Sequence, residues 1–567
     1  MAPHPWEASY PPGRDWHAEI AAFWIDEVID RSAARWPERT LIDFYDRRFS
    51  HRDMLDLSGR AARGLQELGV TSGTHVGLHL ANVPHYVALF FGVLKAGGRV
   101  VNYSPLYAER EILRQIEDSE TDILITLDWQ SLYPKVAALA GMSRLKAIVV
   151  CSLSDFLAED AASGFKIPQA EIGASGAGSV QLIRFRDLIA NDGAYRRMPR
   201  GAPGEEVAVL QYTGGTTGVP KGAMLTHANL SAAIDQSRIW VADVIQPGAE
   251  RALAVLPFFH VYGLAIIMLR GVWLGFELVL HLRFDVEKVL ADIAGKRISL
   301  FSGVPTMYTA MVQHPGFRSF DLSSLKLCSS GGAPMPVEIL GRFEAATGCI
   351  LSEGYGLTET APTGSSTPPT RAKRAGTVGV PMPGTVIEIR DLETGTTALP
   401  PDSLGEVSIK GPQVMKGYWK RPEETASVLK DGWFMTGDIG RMSADGTLTL
   451  IERKKDMIIS GGFNVYPRMI EEAIYEHESV AEVIVIGIPD DYRGQSAKAF
   501  VRLKSGTSLG LDELNLFLAD KLGRHELPSA LEIRQSLPRT AVGKLSRKEL
   551  VAEESAKRQA MKPVVSS

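Results

Sequence analysis

"LQYTGGTTGVPKGAMLTH", residues 210–227, decides how the rest of the chain is read. It continues the apolar run "VAVLQY" (207–212), so it is predicted to leave the carboxyl end of a strand, where open α/β sheets bind ligands. Gly214, Gly215 and Gly218 let backbone N–H groups approach phosphate oxygens closely. Thr213, Thr216 and Thr217 add hydroxyl donors, and Lys221 adds charge. A Walker loop would place Gly-Lys-Ser/Thr at the opening of a helix. Here Lys221 follows Pro220, which has no N–H to give, and precedes Gly222. The stretch therefore predicts a phosphate cradle without that helix.

Outward from the loop the text alternates in the manner of an α/β protein. Ser50 with Asp53 forms a capping-box pattern, followed at helical spacing by Met54, Leu57, Ala61, Leu65 and Leu68. Strands are predicted at 75–80, 100–103, 123–126 and 147–150, with a helix over 84–96. Residues 152–180, rich in Ser, Gly and Ala, read as a surface excursion. A second alternating set places strands at 207–212, 253–256, 278–281, 298–301, 325–329 and 350–354. After 376 the short runs "TVIEIRD", "GEVSIK" and "TLTLIE" suggest a small β-subdomain. Beyond "IERKKDMI" (451–458) lies an α+β unit of domain size. Its predicted elements are helices at 467–478, 511–522 and from 545, and strands at 480–488, 497–504 and 530–535.

The 567 residues carry 61 basic and 66 acidic side chains, a net charge of −5, so no basic excess points to nucleic acid. Cys151, Cys328 and Cys349 form no CxxC pair, which argues against a disulfide framework or structural zinc and for a reducing cytoplasm. "VYGLAIIMLRGVWLGFELVL" (261–280) is the longest apolar stretch. Arg270, Glu277 and three glycines within it favour a buried helix and strand over a membrane span. Contact with the inner face of a membrane is left open.

Three further strings carry chemistry. In "SEGYGLTETAP" (352–362), Tyr355, read as exposed between glycines, offers a flat face to an aromatic base. Thr358 supplies a hydroxyl and Glu359 a hard oxygen ligand suited to Mg²⁺. In "GWFMTGDIG" (432–440), Asp438 is read as a turn residue able to accept from two ribose hydroxyls. In "LPRTAVGKLSRKEL" (537–550), Lys544 lies on a glycine-containing loop, and in isolation is one basic residue among many.

Taken together and in order, these strings resemble the core motifs of the adenylate-forming superfamily of acyl-CoA synthetases, adenylation domains and luciferases. "KGPQVMKGYW" (410–419) and "RKKDMIISGGFNVYP" (453–467) are in the style of its bacterial long-chain fatty-acid–CoA ligases. The resemblance runs from about residue 20 to 555. It implies an α/β fold with a large N-terminal domain, residues 1–452, made of two αβ-layered subdomains and a small β-subdomain. A hinge at 453–458 and a mobile C-terminal α+β domain, 459–567, would follow.

It also implies the reaction: a fatty acid and ATP give an acyl-adenylate and pyrophosphate, and CoA then takes the acyl group and releases AMP. Thr213–Gly218 and Lys221 would hold the β- and γ-phosphates. Tyr355, Gly356 and the "GGAPM" backbone (Gly331, Gly332, Ala333, Pro334) would sandwich adenine. Thr358 would contact the α-phosphate, Glu359 would hold Mg²⁺, and Asp438 and Arg453 would bind ribose. Lys544 would bridge the attacking carboxylate and the α-phosphate. Rotation about Lys455 would withdraw Lys544 and present Gly461 and Gly462 to the pantetheine arm of CoA. Lys544 is also a plausible acetylation target, since acetylation removes its charge.

"LPFFHVYGLAIIMLRGVW" (256–273) matches the region that builds the acyl pocket in such ligases. His260, Tyr262, Gly263, Met268 and Gly331 are expected along the acyl and CoA tunnel. Arg270 interrupts this apolar text. It is expected to reach the surface or cap nearby carbonyls. Facing the tunnel instead, it would pair with the second carboxylate of a pimelate-like dicarboxylic acid. A phosphotransferase and a non-catalytic acyl or nucleotide carrier are the rival classes, and a homodimer is left open.

Overall fold

In a computed structural model, residues 3–158, 162, 164–172, 180–213, 220–370, 373–460, 463–490, 492–540 and 543–561 are described. The strand Val207–Thr213 is buried along its length and forms an antiparallel hairpin with Lys221–Thr226, Thr213 facing Lys221 across the register. The two described residues that flank the glycine stretch, Thr213 and Lys221, thus end and open paired strands. The residue after Pro220 opens a strand where a Walker loop would open a helix.

That hairpin lies near one end of an eight-stranded sheet. From edge to edge the strands are Gly417–Tyr418, Lys221–Thr226, Val207–Thr213, Arg99–Asn102, His75–His79, Thr121–Leu127, Ala147–Cys151 and Gln181–Arg184. The five central pairings from Val207–Thr213 to Gln181–Arg184 are parallel. Val101, Leu124, Ile148 and Leu210 pack on one face with Ile112, Ile116 and Val136 from covering helices. Such strands are covered by helices and read as continuous apolar text.

A nine-stranded sheet holds the second alternating set. Its order is Val380–Pro381, Ser365–Ser366, Ile350–Tyr355, Leu327–Gly331, Leu300–Gly303, Arg251–Ala254, Glu277–Leu280, Thr40–Phe44 and Arg47–Ser50. The strands over 251–280, 300–303 and 327–331 lie about two residues from where apolar runs alone place them, the usual error in element ends. Helix His51–Glu67 has the capping box at Ser50 and Asp53, with both bonds present. It meets Pro84–Lys95, all twelve residues of which are buried. Gly92 allows that approach: a Cβ there would stand 2.7 Å from the Ala61 methyl.

The chain packs as two compact units, the first of Met1–Ile387, Ile409–Phe434 and Asp445–Thr447, the second of the remainder. In the second, Val480–Asp490 pairs antiparallel with Gly494–Leu503, and alternate residues are buried on opposite faces. Val483 and Val485 pack with Ile470, Ile474, Leu514 and Leu518; Ile484 and Ile486 pack with Phe500, Leu537 and Leu550 of the last helix. Among the described residues no helix is long and apolar enough to cross a membrane.

Candidate active site

In the first unit, the hairpin register puts Thr213 and Lys221 at the two feet of the glycine loop. Lys221 Nζ lies 5.2 Å from the centre of the Tyr418 ring, an attraction between the cation and the ring's negative face. The Tyr418 hydroxyl donates to Glu359 Oε1 at 2.8 Å. One aromatic side chain therefore ties the loop's lysine to the carboxylate of a motif more than one hundred residues away. Tyr418 is a candidate site residue not singled out in the sequence; the signal was its place in "KGYW", in the short strand that joins the hairpin's edge.

Glu359 sits in a single 3₁₀ turn, Thr358–Thr360, and is buried, while Thr358 is half-buried. The Leu357 N–H donates to Thr360 Oγ1 at 2.9 Å and the Met415 N–H to the Glu359 carbonyl at 2.8 Å, fixing the turn from both sides. Gly356 cannot carry a side chain, since a Cβ would stand 1.7 Å from the Pro362 carbonyl oxygen. Tyr355 corrects the sequence reading: it is buried, because it ends the strand Ile350–Tyr355 and pairs with Ser365. Gly332, Ala333 and Pro334 are exposed just beyond the neighbouring strand, whose Gly331 pairs with Gly354.

The acyl-pocket text folds as a π-helix, Gly263–Leu269, running into an α-helix, Arg270–Leu274. π-Helical turns are rare and concentrate at functional sites. Gly263 permits the entry turn, for a Cβ there would lie 2.2 Å from the Pro257 carbonyl oxygen. His260 Nδ1 accepts from the Tyr262 N–H at 3.3 Å, and Met268 is fully buried. The preceding segment is pinned by side chains that no local pattern singles out. Asn82 donates to the Ala254 and Leu256 carbonyls and accepts from the Phe258 N–H. Tyr86 donates to the Phe258 carbonyl and Gln211 to that of Phe259. Asn102 joins these last two, bonding Tyr86 and Gln211.

Arg270 does not reach the surface, nor does its Nε cap a carbonyl of the described residues. It is 9% exposed, and Nε has no hydrogen-bond partner among the described residues. It sits on a helix face that turns inward between buried Leu269 and Gly271.

In the second unit, Asp438 lies inside the strand Trp433–Met442 rather than in a turn, and is in register with Arg453. Arg453 Nε contacts Asp438 Oδ1 at 2.7 Å, with the carboxylate enclosed and the guanidinium half-exposed. Lys455 follows in an exposed turn, closed by bonds from the Asp456 and Met457 N–H groups to the Arg453 carbonyl.

Lys544 is presented by a tight loop. Its carbonyl accepts from the Thr540 N–H at 2.7 Å, and its own N–H donates to Thr540 Oγ1 at 3.1 Å. Burial, and to a lesser degree the nearby Arg453 guanidinium, together hold the ammonium down to about 8. Gly214, Gly215, Thr216, Thr217, Gly218, Gly461 and Gly462 lie outside the described residues.

Residues 29–419 match the family model described as AMP-binding enzyme, and residues 469–544 that of the AMP-binding enzyme C-terminal domain. A long-chain-fatty-acid–CoA ligase of Bacillus subtilis is 41% identical, over 97% of this chain and 98% of its own. One from Salmonella typhimurium is 34% identical over 92% and 93%. The crystal structure of ATP-bound MatB from Rhodopseudomonas palustris superposes with a TM-score of 0.82 at 27% identity, covering 95% of this chain and all of its own. With family models matched over most of its length, and an enclosed acidic turn and a C-terminal lysine loop in this order, the chain belongs to the AMP-binding enzyme family.

Proposed function

We propose that the chain activates a medium- or long-chain fatty acid with ATP and passes the acyl group to CoA, releasing AMP and pyrophosphate. The observation that carries the reading is the linkage of Lys221 through Tyr418 to Glu359 in the unit that also holds the apolar helix after His260. That arrangement sets a phosphate-binding cation and an acidic turn in one body with a wall suited to an alkyl chain. The fatty-acid ligases among the relatives support the choice of substrate.

In the first half-reaction a carboxylate oxygen bonds to the α-phosphorus as the bond to pyrophosphate breaks. Charge accumulates on the α-phosphate oxygens. Thr358 and Lys544 are the groups we assign to it, Lys221 and the glycine loop to the departing pyrophosphate, and Asp438 and Arg453 to the ribose. Mg²⁺ is commonly held by one or two carboxylates together with substrate phosphates. The enclosed carboxylate of Glu359, fixed by Tyr418, fits that donor set, and the ion would neutralise phosphate charge. In the second half-reaction the CoA sulfur bonds to the acyl carbon as AMP leaves, and the thiol gives up its proton.

Two half-reactions with different charge demands favour moving Lys544 between them. We assign residues 1–452 and 459–567 to the two bodies of that motion, 453–458 to the joint, and Lys455 to the hinge. The loop containing Gly461 and Gly462 would then line the route of CoA.

The test is product analysis with MgATP, CoA and acids of C2–C18. AMP and pyrophosphate formed with C8–C18 acids, and acyl-CoA only when CoA is present, is the expected result. ADP formation would establish the phosphotransferase instead, and silence across the panel the carrier.

A further inference from the structure

The inward-facing Arg270 differs from three other enclosed cations of the described residues. Lys95 is paired with Asp30, Lys373 with Glu344, and Arg547 with Glu452 and Glu471. Among the described residues Arg270 is paired with no carboxylate, and its buried Nε has no hydrogen-bond acceptor. Its guanidinium is lowered by burial only to about 10, so it stays charged at neutral pH, and the group of opposite character it feels is the Tyr262 phenol. Buried polar groups nearly always find a partner, and a buried cation without one is costly.

The surroundings are polar in an organised way. Ser302, Ser329 and Ser352 are in register across three adjacent parallel strands, which puts their side chains on one face of the sheet. Tyr262 and Ser329 hydroxyls are 2.9 Å apart, and Ser329 donates to Ser302 Oγ at 2.8 Å. Tyr308 donates to the Ser329 carbonyl at 2.8 Å, holding that strand. Ser352 Oγ is buried and has no hydrogen-bond partner among the described residues. Tyr262 and Arg270 are eight residues apart on a helix whose π and α stretches both return to nearly the same face over about two turns.

We infer that Arg270, with Tyr262 and the serine row, is a specificity site for an oxygen function carried by the acyl chain: a hydroxyl, oxo or carboxylate oxygen remote from the carboxylate that is activated. The inference rests on reading His260–Met268 as the wall of the acyl pocket. A plain alkyl chain offers the N–H donors of Arg270 no acceptor. An oxygen placed there accepts from them, and a second, anionic carboxylate does so most strongly. A site built to hydrogen-bond a substrate oxygen discriminates against the analogue that lacks it far more sharply than an apolar pocket does against an added methylene.

The test compares kcat/KM of the full-length enzyme for plain, ω-hydroxy, oxo and α,ω-dicarboxylic acids of C8–C16, in wild type, Arg270→Leu and Arg270→Gln. The expected result is a fall of about 10-fold or more in the ratio of oxygenated to plain acid in both variants, expressed mainly in KM. A fall confined to diacids identifies an anionic occupant, and a fall for hydroxy and oxo acids as well identifies any acceptor oxygen. Thermal shifts of the wild-type protein with each acid give the same comparison without a variant that has to fold. Ratios unchanged within about twofold in both variants, with plain acids turned over by wild type, overturn the site and leave the ligase reading intact. Wild-type enzyme that activates none of these acids overturns both.

Discussion

The lowered Lys544 ammonium makes the pH profile a direct test of its role. With the group near 8, about nine-tenths of it is protonated at pH 7 and about one-tenth at pH 9. Arg453 beside it and its half-enclosed loop both disfavour the charge, so the shift belongs to the enzyme before ATP binds; phosphate oxygens near the ammonium would raise it again. The free-enzyme value appears in kcat/KM for MgATP and not in kcat. Pyrophosphate release, measured at saturating fatty acid from pH 6.5 to 10, should therefore fall about 10-fold in kcat/KM between pH 7 and 9, with a much shallower limb in kcat. Lys544→Ala should lose about 10²–10³ in adenylation rate, the usual effect of one preorganised contact to developing charge. The same variant should keep most of its CoA-dependent consumption of supplied acyl-adenylate. Lys544→Arg cannot deprotonate in this range and should remove the alkaline limb, whatever its absolute rate. An alkaline limb that survives unchanged in Lys544→Arg would refute the assignment, as would a wild-type profile flat to pH 9.5.

Tyr418→Phe keeps the ring face under Lys221 but loses the bond to Glu359; it should lower kcat/KM for MgATP by about 10-fold, in line with a hydrogen bond to a charged group, and Tyr418→Leu should do worse. Gly356→Ala should displace the turn carrying Thr358 and Glu359, because its methyl would strike the Pro362 carbonyl; overpacking of that kind typically costs about 1–3 kcal/mol, read as a lower urea midpoint together with loss of adenylation. Arg547→Met leaves the carboxylates of Glu452 and Glu471 enclosed without their cation and should destabilise the full chain by about 3–5 kcal/mol. That deficit should shrink as pH falls toward 5, since burial already holds the Glu471 carboxyl above its ordinary value and protonation removes the stranded charge. Lys455→Pro, at the assigned hinge, should spare adenylation and cripple thioester formation; normal overall turnover would place the hinge elsewhere.

What the sequence disclosed, and what it hid, follows from the range of the interactions. The hairpin was legible because Pro220 and the flanking apolar runs act locally. The alternation from 75 to 150 was legible because parallel strands buried on both faces are written as apolar runs. Asp438 was misread because "TGD" has turn composition, while the pairing with Arg453 that makes it a strand residue is a relation between two segments. Tyr355 was taken as exposed because its flanking glycines suggest a loop, although the strand continues through it. The bonds from Asn82, Tyr86 and Gln211 that hold 254–259 span up to 176 residues, and no local pattern announces them. Seven residues of π-helix look like any apolar helix in text, because the change from four to five residues per bond lies in the backbone and not in the side chains.

Unanswered charge is common to Lys544 in the second unit and Arg270 in the first. Folding encloses Lys95, Lys373 and Arg547 together with carboxylates, so their charges are answered within the chain. Among the described residues no carboxylate answers Arg270 or the half-buried Lys544, and for Lys544 the charge nearest to hand is the like charge of Arg453. A cation kept in that condition weakens the free protein, and the enclosure that causes the weakness also removes the water that would screen an incoming anion. Each such group therefore interacts more strongly with a bound phosphate or carboxylate than an exposed lysine or arginine could. On the role proposed for Lys544, the anion would be the α-phosphate with its attacking carboxylate, whose charge grows toward the transition state, and the cost in the free enzyme would return as rate. On the role inferred for Arg270, the anion or acceptor oxygen would be part of the ground-state substrate, and the cost would return as selectivity. The two positions should accordingly separate in kinetics, Lys544 variants losing kcat and Arg270 variants changing KM among acids of equal length.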